Sequence, residues 1–285
     1  MNYKSILAYL DGGTAGTEVM RIASQLAVRF DAHLVAAYGV DWPMFAMAAM
    51  DPSAGDMIRY QIEAEELSEK TARDQIAASQ AASGCAVEWR RIPADLVASL
   101  TLQARHSDLV VMAQEQPGDF LRGGPTRVSS VALSAGRPVL AVPYAGSLPP
   151  GTDCGSSVIF AWNGSREAAR AAADALPLMA AARNVTVVAF HSGKETSLSP
   201  FGGASGIAAA DIGLWLARHG VKVTVDARHC PDAEIGGQVL NLVSDSGADL
   251  VVMGAYGHSR ASEFVLGGVT RTLLQSMTVP VLLSH

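Results

Sequence analysis

The stretch ADLVVMGAYGHSRASEFVLGGVT occupies positions 248–270 of the chain. Leu250–Met253 is a short apolar run, typical of a strand that is buried on both faces of a parallel sheet. Two glycines follow in Gly254–Gly257, nine residues separate them from Gly267–Gly268, and Val269–Ser276 has the pattern of a helix. This order of strand, glycine-rich loop and helix is typical of an α/β fold with a site at the carboxyl end of the strand.

The glycine-rich loop has the chemistry of an anion cradle. Glycine tolerates positive φ and lets backbone N–H groups approach a ligand, and a helix N-terminus just after Gly268 adds partial positive charge. Thr270 adds a hydroxyl. We expect this loop to bind a di- or triphosphate group. The alternative is that the glycines only allow the chain to turn and bind no ligand. The loop has neither the G-K-[ST] end of a P-loop nor a G-x-G-x-x-G fingerprint.

Outward from this stretch, the chain repeats itself. Four blocks recur in the same order at offsets between 141 and 152. The pairs are SILAYLDGG (5–13) with VIFAWNGS (158–165), SDLVVM (107–112) with GADLVVM (247–253), GGPTR (123–127) with GGVTR (267–271), and RPVL (137–140) with VPVL (279–282). The segment 144–156, YAGSLPPGTDCGS, has the composition of a linker. The repeat predicts two copies of one domain, at residues 1–145 and 155–285.

Within each copy, short apolar runs alternate with helix-like segments. In the second copy we predict strands at 158–162, 184–190, 221–227, 250–253 and 279–283, and helices at 166–182, 207–219, 233–246 and 269–276. Ser165 is the expected N-cap of the first of these helices, and Gly220 is the expected C-cap of the second. The alternation predicts an α/β fold of two tandem, open-twisted, five-stranded parallel-sheet sandwiches, with ligands at the carboxyl ends of the strands.

The composition argues against several classes of protein. Of the 285 residues 49% are hydrophobic and 17% are charged, which favours a buried core over disorder. The formal net charge of -6, without a Lys/Arg cluster, disfavours nucleic acid or an acidic membrane as a partner. The three cysteines form no C-x-x-C pair, and we find no signal peptide and no apolar stretch of about 18 residues. We therefore expect a cytoplasmic protein.

A polar residue follows the first strand of each copy. It is Asp11 in the first copy and Asn163 in the second, and both precede a glycine. Since the carboxyl ends of parallel strands share one edge of the sheet, this side chain is placed to bind a ribose hydroxyl or an adenine edge. The alternative is a local role, because Asp and Asn before Gly favour turns.

These motifs together resemble the universal stress protein family, along nearly the whole chain and twice over. The resemblance is carried by LDGG (10–13), WNGS (162–165), ADLVVMGAYGHS (248–259), LGGVTRTLL (266–274) and TVPVLL (278–283). It implies a Rossmann-like fold, similar to that of the adenine nucleotide alpha hydrolases, a role in the stress response, and ATP, alone or with Mg²⁺, as the ligand. The ATP-binding residues that it implies are Ala161, Asn163, Phe190, Met253, Gly254, Gly257, Gly267, Gly268, Val269 and Thr270.

Two positions of the second copy depart from the family pattern. Gly268 stands where the family has Ser or Thr, so that the backbone donor is kept and one hydroxyl is lost. Asn163 replaces the usual Asp, and its amide oxygen accepts a hydrogen bond without the assistance of a charge. Both departures weaken the expected ATP site without removing it.

The corresponding loop of the first copy departs further. Ala113–Asp119 has lost both early glycines, and the loop is three residues shorter before Gly123. Pro117 has no N–H to donate, and Glu115 and Asp119 place negative charge where a phosphate would lie. We predict that the first copy does not bind ATP and that it serves as a scaffold.

The resemblance also predicts how the copies associate. In the family the last strands pair between subunits, which makes a tandem chain similar to a single-chain dimer. The strands concerned are Pro138–Val142 and Val279–Leu283. The resemblance leaves open whether two chains also form a homodimer.

Other functions have less support in the sequence. No nucleophile elbow or triad spacing is present, so at most slow ATP hydrolysis is expected, without a base that we can name. The histidines lack metal-site spacing, and no metal is expected. The S-G-G-x-D-S signature of an ATP pyrophosphatase is absent. The alternative function is a small-molecule or lipid carrier with a vestigial loop, because Met44, Met47, Met50 and Met57 recur near helical spacing.

Overall fold

The computed structural model describes residues 2–40, 55–93, 95–116, 126–145, 148–149, 151–191, 205–255 and 268–285. Two compact units divide the chain. One unit is Tyr3–Ala113, and the other is Gln114–His285 together with Met1–Asn2.

The unit Tyr3–Ala113 is a parallel sheet covered by helices. Its elements are β1 Ser5–Leu10, α1 Gly16–Phe30, β2 His33–Tyr38, α2 Gly55–Ser83, β3 Val87–Arg91, α3 Leu96–Ala104 and β4 Leu109–Ala113. The strand order is β3-β2-β1-β4, and β1 pairs in parallel with both β2 and β4. The chain therefore moves outward from β1 to one side and then crosses to the other, as in a doubly wound fold.

The unit Gln114–His285 contains the second copy together with the end of the first. Its elements are α4 Arg127–Ser134, β5 Val139–Val142, β6 Ser157–Trp162, α5 Arg166–Asp174, α6 Leu176–Ala181, β7 Asn184–His191, α7 Ser205–Arg218, β8 Val223–His229, a 3₁₀ turn Asp232–Glu234, α8 Ile235–Ser246, β9 Leu250–Gly254, α9 Gly268–Ser276 and β10 Val281–Ser284. The strand order is β5-β10-β9-β6-β7-β8. Within β6–β10 the strands pair in parallel, and β5 is antiparallel to β10.

The central strands are buried because they carry uninterrupted apolar runs. Leu109–Met112 and Leu250–Met253 are no more than 5% exposed, as expected of strands with helices on both faces. A carboxylate fixes the amino end of the neighbouring first strand in each copy. Asp249 accepts hydrogen bonds from the backbone N–H groups of three consecutive residues, 155–157, at 2.8–3.0 Å, and Asp108 accepts two from residues 4 and 5. These carboxylates hold the first and fourth strands of each copy side by side.

The predicted helix 166–182 is interrupted in the structure. Ser165 caps it as expected, because its hydroxyl accepts a hydrogen bond from the Ala168 N–H at 3.1 Å. Ala175 then separates α5 from α6, and Pro177 lies in the first turn of α6. Proline has no N–H, and its ring collides with the carbonyl one turn earlier, so a continuous helix through this position is unfavourable.

The predicted pairing of the last strands is confirmed. In the unit Gln114–His285, Leu140 faces Leu282 and Val139 faces Leu283 in an antiparallel ladder. Because β5 joins this ladder, the compact units divide the chain after Ala113 rather than in the linker. The predicted α/β class with a mostly parallel sheet is also confirmed. No helix in the described part of the chain is long and apolar enough to cross a membrane.

Candidate functional site

In the second copy, the carboxyl ends of β6, β7 and β9 lie at the same edge of the sheet. Ala161 on β6 faces Val188 on β7 and Met253 on β9. Asn163 and Phe190 both lie two residues beyond this row, so the polar residue after β6 and the predicted contact on β7 come to the same edge of the sheet. The chain leaves β6 toward β7 on one side and returns as β9 on the other, which creates the crevice where doubly wound folds bind ligands.

Asn163 forms a tight turn at the start of this crevice. Its Oδ1 accepts a hydrogen bond from the Ser165 N–H at 3.1 Å, and Gly164 has a φ of 71°. The first copy has the same turn, in which Asp11 Oδ1 accepts from the Gly13 N–H at 2.8 Å. The local role that the sequence offered as an alternative is therefore present in both copies. Asn163 is exposed, so its local hydrogen bond does not bury the side chain.

Gly254 brings β9 against the first turn of α5. A Cβ at this position would lie 2.5 Å from both Ala168 N and Glu167 C, closer than real side chains come to backbone atoms. The absence of a side chain is therefore required for close helix–strand packing. The Glu167 carboxyl beneath this contact is buried, which raises its pKa, but hydrogen bonds from its own backbone, Arg166 and Ser165 outweigh burial and hold the pKa below its ordinary value.

The N-terminus of α9 lies at the same edge of the sheet. β9 and β10 are parallel neighbours, so the helix that joins them runs antiparallel to both and begins at their carboxyl side. Gly268 is exposed, and a Cβ there would have no described atom within 4 Å. Thr270 is only 3% exposed. The first turn of α9 contains no acidic residue, so its partial positive charge is not neutralised there.

Trp162 is a site residue that the sequence analysis did not single out. It lies between Ala161 and Asn163, and its ring contacts Phe160 edge-on with 5.7 Å between centroids. The indole Nε1 is buried and has no hydrogen-bond partner among the described residues. A buried N–H donor without a partner is uncommon in folded proteins, and this one lies beside the candidate site.

Several predicted residues lie outside the described part of the chain. They are Gly257 and Gly267 of the glycine-rich loop, Pro117 and Asp119 of the first-copy loop, and Met44, Met47 and Met50 of the carrier hypothesis. Met57 lies in α2, but its side chain is not among those described. The structure brings together Ala161, Asn163, Phe190, Met253 and Gly254 by strand register, and it places Gly268, Val269 and Thr270 in the first turn of α9.

In the first copy, helix α2 covers the turn after β1. The Ser68 hydroxyl donates to the Asp11 carbonyl at 2.6 Å, and the Gln75 amide donates to the Gly13 carbonyl at 2.8 Å. A Cβ at Gly12 would collide with Ser68. At Gly164, the counterpart in the second copy, no described atom lies within 4 Å of a Cβ. The two copies therefore share the turn, and among the described residues they differ in what lies against it.

The N-terminus of α4, which corresponds in sequence to that of α9, already holds an anion. Glu115 Oε1 accepts hydrogen bonds from the Arg127 backbone N–H at 2.5 Å and from the Arg127 guanidinium at 3.3 Å. The Glu115 side chain is 10% exposed, and its Oε2 is buried without a hydrogen-bond partner in the described residues. Burial raises the pKa of Glu115 above its ordinary value, against the opposing effect of Arg127. The sequence placed Glu115 near the loop, but its capture by Arg127 depends on tertiary contact.

Among the described residues, the remaining reactive side chains form neither a metal site nor a disulfide. Within the described ranges, no three His, Cys, Asp or Glu residues are grouped so as to hold a metal ion. Cys85, Cys154 and Cys230 are buried free thiols. Burial raises the pKa of both the Cys85 and the Cys230 thiol, which keeps them protonated and unreactive.

Comparisons with known proteins agree with this architecture. A universal stress protein from Archaeoglobus fulgidus DSM 4304 superimposes with a TM-score of 0.68 and 14% identity, over 98% of this chain and 95% of that one. A functionally unknown protein from Pseudomonas aeruginosa PAO1 superimposes with a TM-score of 0.59 and 14% identity, over 99% of this chain and 92% of that one. At such identities the likeness shows the fold alone. No curated protein matches the chain.

The family itself is shown by sequence. The model of the universal stress protein family matches residues 2–143 and, separately, residues 156–285. These two ranges cover most of the chain, and each contains one copy of the repeat. The chain therefore belongs to the universal stress protein family and carries the family's domain twice.

Proposed function

We propose that the second copy binds ATP at the carboxyl ends of β6, β7 and β9. The observation that carries this proposal is a difference in charge at the start of the helix that precedes the last strand of each copy, α4 in the first copy and α9 in the second. In the first copy the Glu115 carboxylate occupies the N-terminus of α4. In the second copy the position corresponding to Glu115 is Tyr256, and the first turn of α9 holds no acidic residue. The partial positive charge of α9 therefore favours an anionic ligand.

The residues present fit an adenine nucleotide. Gly268, Val269 and Thr270 supply backbone N–H groups in the first turn of α9, where phosphate oxygens bind well. The exposed Asn163 lies at the crevice to meet the ribose, and Ala161 and Phe190 line the adenine side. The two glycines Gly257 and Gly267 complete the loop in this proposal. In this proposal the ligand is either ATP alone or ATP with Mg²⁺ bound to its phosphates.

The proposed role is nucleotide binding without strong catalysis, in the stress response of the cytoplasm. We assign no general base and no arginine finger for ATP hydrolysis. In this proposal, bound ATP acts by changing which partner proteins bind the chain. The first copy does not bind ATP in this proposal, because Ser68 and Gln75 cover its turn and Glu115 neutralises the start of α4. Residues 1–145 serve as a scaffold for residues 155–285.

The test is calorimetric titration of ATP into the full chain and two variants. Gly268→Glu adds a carboxylate at the exposed start of α9, where a side chain has room. We expect one ATP per chain in the wild type and at least a tenfold weaker affinity in Gly268→Glu, since like charges near 4 Å repel by about 1–4 kcal/mol. Gly237→Glu makes the same chemical change at another open helical position and is expected to bind ATP normally.

A second pair of variants tests the same site by gain of affinity. Gly268→Ser restores a hydroxyl beside the phosphates, and Asn163→Asp restores a charge beside the ribose while keeping the turn that Asp11 forms in the first copy. Each is expected to tighten ATP binding about threefold to tenfold, the effect of one net hydrogen bond. A wild type that binds no ATP, with both variants equally inactive, contradicts the proposal. Native mass spectrometry that finds a lipid instead favours the carrier.

A further inference from the structure

Arg271 is an exposed cation whose role the fold does not explain. It follows Thr270 in α9, and its residue is exposed. Among the residues that the structure describes, Arg271 takes part in no ion pair and no hydrogen bond of its side chain. Other arginines on this protein's helices pair with carboxylates, as Arg170 does with Asp174 at 2.8 Å and Arg73 does with Glu69 at 2.7 Å.

The counterpart of Arg271 in the first copy binds an anion. The blocks GGPTR and GGVTR align Arg127 with Arg271. Arg127 holds the Glu115 carboxylate through its backbone N–H at 2.5 Å and its guanidinium at 3.3 Å. The same residue type at the same position of the repeat therefore already recognises an oxyanion once in this chain.

The geometry of α9 places Arg271 on the same helix face as its first residue, Gly268. Gly268 and Arg271 are both exposed and three residues apart, so they share one helix face, whereas Thr270 and Leu274 are buried on another. Side chains of a helix tilt toward its N-terminus, which directs a long side chain at the fourth position back over the first turn. Relative to the repeat, α9 begins three residues earlier than α4. The N–H groups of 268–270 therefore have no partner within the helix, and Arg271 lies one turn after the first of them.

We propose that Arg271 binds the phosphates of the nucleotide in the second copy and makes the site selective for ATP over adenosine. This inference rests on the proposed function, because it assigns a further ligand-binding residue to the same site. A planar guanidinium suits a phosphate, since its N–H groups donate two parallel charge-assisted hydrogen bonds. Adenosine carries no phosphate, so its affinity does not depend on this residue.

The experiment titrates ATP, AMP and adenosine into the full chain and into Arg271→Gln. We expect Arg271→Gln to bind ATP about tenfold more weakly and adenosine as the wild type does, with AMP between them. Raising the salt concentration should weaken ATP binding less in the variant, because one screened charge is gone. Arg218→Gln is the matched control, since Arg218 is exposed in the last turn of α7, at the opposite edge of the parallel sheet.

The outcomes separate this inference from the function on which it rests. A wild type that binds none of the three ligands overturns the nucleotide site and the role of Arg271 together. A wild type that binds ATP, with Arg271→Gln binding it equally well, overturns only the role of Arg271. Equal loss of ATP and adenosine affinity also contradicts the role, because it indicates general damage to the site. Thermal denaturation of Arg271→Gln checks that the fold is intact, as expected for an exposed residue that has no partner among the described residues.

Discussion

Gly254 illustrates how a residue that a sequence motif assigns to a ligand is also required for packing. It belongs to the glycine pattern that resembles an ATP loop, and the structure adds that β9 meets α5 at this position. A Cβ there collides with backbone atoms, which cannot rotate away as a side-chain end does. At this position the glycine is needed for packing whether or not a ligand is bound.

We predict that Gly254→Ala lowers the free energy of unfolding by about 1–3 kcal/mol, the usual cost of overpacking a closed contact. The displacement of α5 from β9 should also weaken ATP binding. Urea denaturation and calorimetry measure the two effects. Gly237→Ala is the control, because Gly237 lies in α8 with open space at its Cβ, and alanine there should stabilise the helix by up to about 1 kcal/mol. Equal stabilities for both variants would contradict this reading of Gly254.

Glu115 predicts a pH dependence of stability. Burial raises its pKa in the folded state, so between its unfolded and folded pKa values the folded chain holds a proton that the unfolded chain has released. The contribution of Glu115 to stability is therefore largest below the unfolded pKa and falls as the pH rises through the folded pKa. Among the described residues the charged group that faces it is Arg127.

The measurement compares the wild type with Glu115→Gln, in which this titration is absent. Urea denaturation from pH 4 to pH 7 should show the wild type losing stability relative to the variant as the pH rises. Groups that titrate in both chains, such as Asp249, cancel in the difference. A stability difference that stays constant with pH would show that the Glu115 carboxyl titrates normally.

At the scale of elements, the buried side chain of Gln114 contacts the last turn of α9, within the unit Gln114–His285. Gln114 donates from Nε2 to the Leu274 carbonyl at 2.6 Å and accepts at Oε1 from the Tyr144 N–H at 3.2 Å. Leu274 lies in the last turn of α9, where carbonyl groups have no partner within the helix. Gln114 occupies the position at which the second copy has Ala255. In the first copy, this position therefore has a structural function of its own.

We predict that Gln114→Met destabilises the chain by about 1–3 kcal/mol, because it keeps the side-chain volume and leaves the Leu274 carbonyl without its donor. Chemical denaturation of the full chain measures this change. Gln275→Met makes the same substitution at an exposed position of α9 and is expected to stay within about 0.5 kcal/mol of the wild type. Similar effects of the two substitutions would mean that the buried hydrogen bonds of Gln114 contribute little.

At the scale of the whole molecule, the last strand of the second copy depends on a strand from the first. β5 is antiparallel to β10, and all four residues of β5 are fully buried. Without β5, the backbone N–H and C=O groups along β10 become an open edge of the sheet, and open edges pair with other chains.

We predict that a fragment 156–285 is less stable than a fragment 114–285 by at least about 2 kcal/mol, since the apolar side chains of β10 lose their cover. The shorter fragment should also self-associate through β10. Urea denaturation and sedimentation of the two fragments measure these effects. Monomeric fragments of equal stability would contradict the dependence of β10 on β5.

The sequence by itself determined the α/β class, the repeat, the cap at Ser165 and the polar residue at the end of the first strand of each copy. Periodicity, glycine spacing and capping are local properties, so they are visible along a few consecutive residues. The prediction of one continuous helix at 166–182 is wrong, because Pro177 breaks the helix and the prediction ignores this local effect. The resemblance to the universal stress proteins, and not these local patterns, named Ala161, Phe190 and Met253. Strand register brings them to one edge of the sheet with Asn163.

Tertiary structure alone decided what covers each turn and which charge meets which helix. Ser68 reaches Asp11 across 57 positions, and Gln114 reaches Leu274 across 160. Such contacts depend on how helices pack on the sheet, and no pattern of neighbouring residues encodes them. For the same reason, the sequence indicated only that Glu115 brings a negative charge to the loop. The fold pairs this carboxyl with Arg127 at the start of a helix and buries it, and burial outweighs the pairing and raises its pKa.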